Sequence, residues 1–156
     1  MLGCSSGYAP LEALRSYELD VSPSMPVDAQ GATIAAAVQW EMAIPELSFY
    51  ERVAECPSPR PSGTICVEAG DDASVSANIT GQTWVSGSTK YDGSTAYLYL
   101  GNIASYGYPV QLVALHELGH AMGLVHDTEV VTAMWPTTNQ QSPEVTATDI
   151  TKWEFR

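Results

Sequence analysis

The sequence predicts an α+β domain, and three observations carry that prediction. Ser16-Tyr17-Glu18-Leu19-Asp20-Val21 alternates polar with apolar residues, the two-residue period of a half-buried strand, and similar short runs return further along. An alanine-rich run from Ala29 through Met42 has the composition of a helix. A second helical pattern follows Pro109, and it and the turn after it carry all three histidines of the chain. With 156 residues, a chain buries about 68–70% of its unfolded surface, enough for one core. One domain is expected over residues 16–156, preceded by a tail at 1–15 that has Gly7, Pro10 and few apolar residues.

In the first strand Tyr17, Leu19 and Val21 face inwards, and Pro23 and Pro26 end it. Asp28 is the candidate N-cap of the alanine-rich helix, in which Ile34, Val38 and Met42 fall at i, i+4 and i+8 before Pro45 stops it. Leu47–Val53 and Thr64–Glu68 read as the next strands, then Gln82–Val85 and Thr95–Leu100, with the polar loop Ser86–Lys90 between the last two. Gly70-Asp71-Asp72 and Tyr91-Asp92-Gly93 are turns by composition. Pro109 suits the first turn of the histidine-bearing helix, where Leu112, Leu115, Leu118 and Met122 share a sector of about 120° and are assigned to the core. Ser142-Pro143-Glu144-Val145 opens a last helix through Asp149, Ile150 and Trp153. No repeat or low-complexity segment suggests a second module.

The stretch with chemical content is His116-Glu117-Leu118-Gly119-His120-Ala121-Met122-Gly123-Leu124-Val125-His126. Residues on a helix are rotated by about 100° each, so His116 and His120 stand one turn apart on one face and can share an ion. Glu117 falls beside that face, able to reach a water without ligating the metal. Gly123 can end the helix in a left-handed conformation and turn the chain so that His126 comes up to the same ion. Three protein ligands leave the fourth position of a tetrahedral zinc open, which is the arrangement of a catalytic site. The alternative, histidines satisfied as ordinary surface or core residues, leaves unexplained why the chain has none elsewhere.

HELGHAMGLVHD followed by Ala133-Met134-Trp135-Pro136 resembles a metzincin metalloprotease, most nearly the matrixin catalytic domain. The order strand, alanine-rich helix containing Trp40, strand is similar to the opening of that domain. Asp127 departs from it, since matrixins usually carry Ser after the third histidine and Asp is the habit of the adamalysin branch. The resemblance implies a twisted mixed sheet, an alanine-rich backing helix, a zinc-binding active-site helix and a C-terminal helix after the Met-turn. It places Met134 beneath the histidines as packing, and Asp149 as a brace for the Met-turn or the chain's amino end, against the plainer reading of a surface aspartate.

It also implies a zinc endopeptidase acting on extended protein or peptide substrates. One catalytic Zn2+ would sit on His116, His120 and His126, with Glu117 taking a proton from water and handing it to the leaving amine. The strand beside the zinc helix would pair with substrate, which puts Tyr97, Leu98 and Tyr99 in the substrate-binding set. Pro136 and Thr137, with Thr138, correspond to the wall of the pocket for the residue after the cut. Trp135 has no hydroxyl to serve as a transition-state donor. The family's second, structural zinc needs further histidines, so it is expected to be absent. Ca2+ on Asp71, Asp72 or Asp92 suits hard oxygen ligands in turns, against the plainer reading of solvated turns. Two rivals remain: an idle domain that binds a protein partner through its cleft, and a zinc hydrolase of a non-peptide bond. Intact Glu117 counts against the first.

Six Lys plus Arg against eighteen Asp plus Glu give a net charge of −12, which repels phosphate backbones and anionic membranes and argues against nucleic-acid binding. No apolar run approaches the roughly 20 residues of a membrane span. Cys56 and Cys66 bracket a loop rich in Pro, Ser and Gly and are placed to close it as a disulfide, in an oxidising compartment; two reduced thiols are the alternative. The expectation is a secreted or extracellular monomer. Leu2-Gly3-Cys4-Ser5 resembles the end of a bacterial lipoprotein signal whose charged and apolar parts would stand upstream, which would make the protein surface-attached through Cys4. A plain thiol on a loose end is the other reading of Cys4.

Overall fold

A computed structural model describes residues 16–85 and 93–154. Its elements in chain order are β1 (Ser16–Val21), α1 (Val27–Ala43), β2 (Ser48–Val53), β3 (Thr64–Ala69), β4 (Gly81–Val85), β5 (Ser94–Leu98), α2 (Leu100–Tyr106), α3 (Val110–Ala121) and α4 (Ala147–Glu154). The sheet runs β2-β1-β3-β5-β4, with β4 antiparallel to β5 and the other pairings parallel. Parallel neighbours need a crossover, and α1 supplies it between β1 and β2. The architecture is α+β with a mixed sheet.

Strand alternation sorts the sheet's two faces. Register aligns Leu19 with Ile65 and Val21 with Val67, and Val67 with Ala96. These side chains, with Tyr17, Phe49 and Leu98, are buried in one core with α1 and α3. The intervening positions are polar: Arg52 forks onto Asp20, Nε to Oδ1 at 2.8 Å and Nη2 to Oδ2 at 3.1 Å, and also pairs with Glu18 at 2.9 Å.

The backing helix forms where expected but turns a different face inwards. Its buried residues are Ala29, Thr33, Ala36, Ala37 and Trp40, whereas Val38 and Met42 are exposed. Small side chains let α1 lie close against α3, and the indole of Trp40 donates to the carbonyl of Leu115 at 3.0 Å. The residue before the first turn is Pro26 rather than Asp28, whose Oδ1 instead accepts from the amide of Ala29 within that turn.

A second difference lies after β5. The strand expected to run to Leu100 stops at Leu98, and Leu100 opens α2. Asp72, in a 3-10 turn at Asp72–Ser74, accepts from the amides of Gly101 at 3.1 Å and Asn102 at 2.9 Å and so caps that helix from 30 residues away. Asp71 accepts from Ala73 in its own turn. Both carboxylates thus serve as caps, and Asp92 lies outside the described residues, as do Cys4, the tail and the loop at 86–90.

Cys56 and Cys66 are joined as a disulfide with their Cα atoms 5.8 Å apart. The last helix starts later than its composition suggested, at Ala147. Thr146 and Asp149 cap it reciprocally, the Thr146 amide donating to Asp149 Oδ2 at 2.8 Å and the Asp149 amide to Thr146 Oγ1 at 3.3 Å. Among the described residues no helix is long and apolar enough to cross a membrane.

Candidate functional site

The site is built on the second half of α3. Leu115 and Leu118 are fully buried and fix the helix's rotation, which leaves His116 and His120 one turn apart beside the core. Beyond Ala121 the chain reverses at Gly123, φ +91°. The amide of Leu124 returns to the carbonyl of Gly119 at 2.9 Å and that of Gly123 to His120 at 2.9 Å, a left-handed cap that a residue without Cβ accepts at no steric cost. This reversal delivers His126.

The three imidazoles converge through one atom each. His126 Nε2 lies 3.2 Å from Nε2 of His116 and 3.1 Å from Nε2 of His120. The Nδ1–H groups of His116 and His120 donate to the carbonyls of Ala133 and Leu124, each at 2.8 Å, and that fixes Nε2 as the lone-pair nitrogen in both rings. Nitrogens about 2.05 Å from a tetrahedral zinc stand about 3.3 Å apart. The donor set therefore fits zinc. Burial, with the neighbouring His120 and His126 charges adding to it, lowers His116 to about 3, which keeps its ring neutral and ready to ligate. A second cluster, Cys56, Cys66 and Glu68, offers no thiolate because its cysteines are bonded to one another.

Met134 lies in the turn beneath. It is 1% exposed, its amide donates to Thr132 Oγ1 at 3.1 Å and its carbonyl accepts from Asp127 at 2.9 Å. A Cβ on Gly119 would collide with its sulfur and lie 3.1 Å from the Trp40 ring. The neighbouring Ala133 donates its amide to Asp149 Oδ2 at 3.0 Å, so the C-terminal helix braces the Met-turn. Asp127, buried, turns the chain by accepting from Glu129 at 3.0 Å and pairs with Lys152 of α4 at 2.7 Å. The Lys152 hydrogen bond, with that of the Glu129 amide, holds its carboxyl below the usual range.

Glu117 points to β4. Its Oε2 accepts from Thr83 Oγ1 at 2.6 Å, and a Cβ on Gly81 would collide with its carboxylate. Burial pushes Glu117 up to about 7 against the lowering effect of that hydrogen bond. Such a carboxyl exchanges protons readily at neutral pH.

The histidines and Glu117 line a cavity of about 680 Å³, walled by β4 and the residues before it on one side and by Trp135, Pro136 and Thr137 on the other. Pro136 and Thr137 thus line the same cavity as the histidines. Tyr97, Leu98 and Tyr99 do not lie on an open edge. β5 is paired with β3 and β4 on its two sides, Leu98 is fully buried, and the hydroxyl of Tyr99 donates to Gln82 at 2.9 Å. Among the described residues the unpaired edge beside the site belongs to β4. Thr83, Gly81, Tyr106 and Tyr108 also line the cavity, and sequence reasoning singled out none of them. Gly81, at the head of a strand, was the available signal, since a glycine there often marks a close approach.

The sequence model of the matrixin family matches residues 66–153, a span that takes in most of β3, the cavity, the three histidines, the Met-turn and most of α4. No curated protein matches the chain.

Proposed function

The chain belongs to the matrixin family, and from that premise we propose that it is a zinc-dependent endopeptidase that hydrolyses peptide bonds of extended protein substrates. The observation that carries this reading is the convergence of three Nε2 atoms beside the buried carboxylate of Glu117. Zinc held by His116, His120 and His126 supplies Lewis acidity towards a water and a scissile carbonyl. Glu117 takes the proton of the attacking water and delivers it to the leaving amine nitrogen. The free edge of β4 pairs with the substrate main chain, giving it the extended conformation. Pro136 and Thr137 face the side chain that follows the cut. Met134 packs and does not ligate.

Residues 16–156 act as the catalytic domain, working as a monomer on protein or peptide, and the net charge of −12 disfavours nucleic acid as a partner. The Cys56–Cys66 bond supports a secreted or extracellular setting. With Asp71 and Asp72 serving as caps, calcium has no part in this reading.

The test is cleavage of a mixed peptide library by the zinc-loaded protein beside Glu117→Ala, with products read by mass spectrometry. Cuts made by the parent and lost in the variant support a peptidase with Glu117 as base. If neither protein cuts while both hold zinc, the reading falls, and partner binding or hydrolysis of another bond takes its place.

A further inference from the structure

We propose that Thr83 is a positioning residue for Glu117, its hydroxyl fixing one carboxylate oxygen so that the other is left to exchange protons with water and leaving group; this rests on the peptidase reading above. β4 pairs with β5 in a register that sets Thr83 opposite Ala96, on the face that packs against α3. Gln82, one position away, turns to the opposite face and takes the hydroxyl of Tyr99. Thr83 is thus the one hydroxyl that the strand sends towards the helix, and it arrives at Glu117.

Two contacts define what it does there. Thr83 Oγ1 lies 2.6 Å from Glu117 Oε2 and 3.1 Å from the carbonyl oxygen of the same residue. A hydroxyl has one hydrogen and two lone pairs. Facing a carboxylate, Thr83 donates to Oε2 in a short, charge-assisted bond. Facing the acid protonated on its other oxygen, it goes on donating to Oε2, which is then the carbonyl oxygen of the carboxylic acid. The same heavy-atom arrangement therefore serves Glu117 before and after it takes a proton.

Gly81 closes the other side. A Cβ there would overlap the carboxylate and lie 2.7 Å from Cγ and 2.8 Å from Cδ. Between a hydroxyl and a bare Cα, the Glu117 side chain has one position. The ladder to β5 holds β4 in the sheet without help from this bond, so the hydroxyl is not needed for the strand to form.

The experiment compares the zinc-loaded parent with Thr83→Val, Thr83→Ser and Gly81→Ala, measuring kcat and KM on a peptide the parent cuts, zinc bound per chain, and thermal unfolding. Thr83→Val is expected to lower kcat about 10- to 100-fold, the range for removing a supporting hydrogen bond at such a site, with KM within about twofold and one zinc still bound. Thr83→Ser restores kcat, and Gly81→Ala falls with the Val variant. A Val variant with kcat like the parent's overturns the proposal, as does a Ser variant as slow as Val. Should the Val variant not fold, full activity in Gly81→Ala overturns it instead. A parent that holds zinc and cuts nothing removes the peptidase reading and this inference together; a cutting parent with an unimpaired Val variant removes this inference alone.

Discussion

Gly119 and Met134 are fitted to one another: the methionine sulfur occupies the space that a side chain on the glycine would need, under the turn of helix that carries both His116 and His120. Glycine inside a helix costs about 1 kcal/mol against alanine, and the contact supplies the compensating reason.

Two glycine substitutions of the same kind therefore have opposite signs. Gly119→Ala gains helix propensity but overpacks against Met134 and Trp40, and is expected to destabilise by about 1–3 kcal/mol. Gly31 lies in α1 with open space where a Cβ would stand, nothing coming within 4 Å, so Gly31→Ala is expected to stabilise by about 0.5–1 kcal/mol. Urea unfolding of both variants beside the parent checks the pair, and equal effects would contradict the packing argument.

Metal loading links to stability. Zinc at 100 times its dissociation constant adds about 2.7 kcal/mol to a fold that alone binds it. Calorimetry is expected to show a rise in Tm with zinc for the parent and a much smaller one for His126→Ala, and chelation is expected to reverse the parent's gain.

The pH dependence of the metal-free protein has a definite sign. Glu117 ionises near 7 when folded and near 4.5 when unfolded, so between those values the folded state holds more protons and the group makes the fold less stable as pH rises. His116, lowered to about 3 from 6.5, acts the other way, its burial cost being greatest at low pH and vanishing above 6.5. Glu117→Gln removes only the first effect. In chelator, its stability relative to the parent is expected to grow between pH 4.5 and 7 by up to about 3 kcal/mol. A difference that stays constant across that range would rule this out.

Reduction of Cys56–Cys66 opens a loop spanning ten positions. The chain-entropy relation puts the loss at about 2.5–3 kcal/mol. Denaturation with and without reductant measures it, and the zinc site, on other elements, is expected to keep its metal.

What the sequence made legible was local. The spacing of His116, His120 and His126 with Gly123 needed only helix geometry and one left-handed cap, and β1 appeared at its predicted bounds because strand alternation is a nearest-neighbour signal. What stayed hidden was settled by distant partners. α2 contains Gly101, Asn102 and Ser105, weak helix formers, and is capped by Asp72 from another part of the chain. The stripe of Val38 and Met42 suggested a buried face, yet the close approach to α3 favours alanines. Which strand keeps a free edge depends on the order of all five, so the sequence left open whether the strand of Tyr97 and Tyr99 has one; among the described residues β4 covers it.

Ala133 binds Asp149 with its amide and His116 with its carbonyl, so the last helix and the first histidine of the cluster are joined through one residue's main chain. Its methyl group takes no part in either bond. Replacing side chains by alanine along this turn would pass over the connection, since position 133 is already alanine and both polar atoms belong to the main chain. Proline, which has no N–H to give, or an ester in place of the amide would expose it. The orientation of His116 is inherited from the course of the backbone, and a survey of side chains alone would read this buried position as packing only.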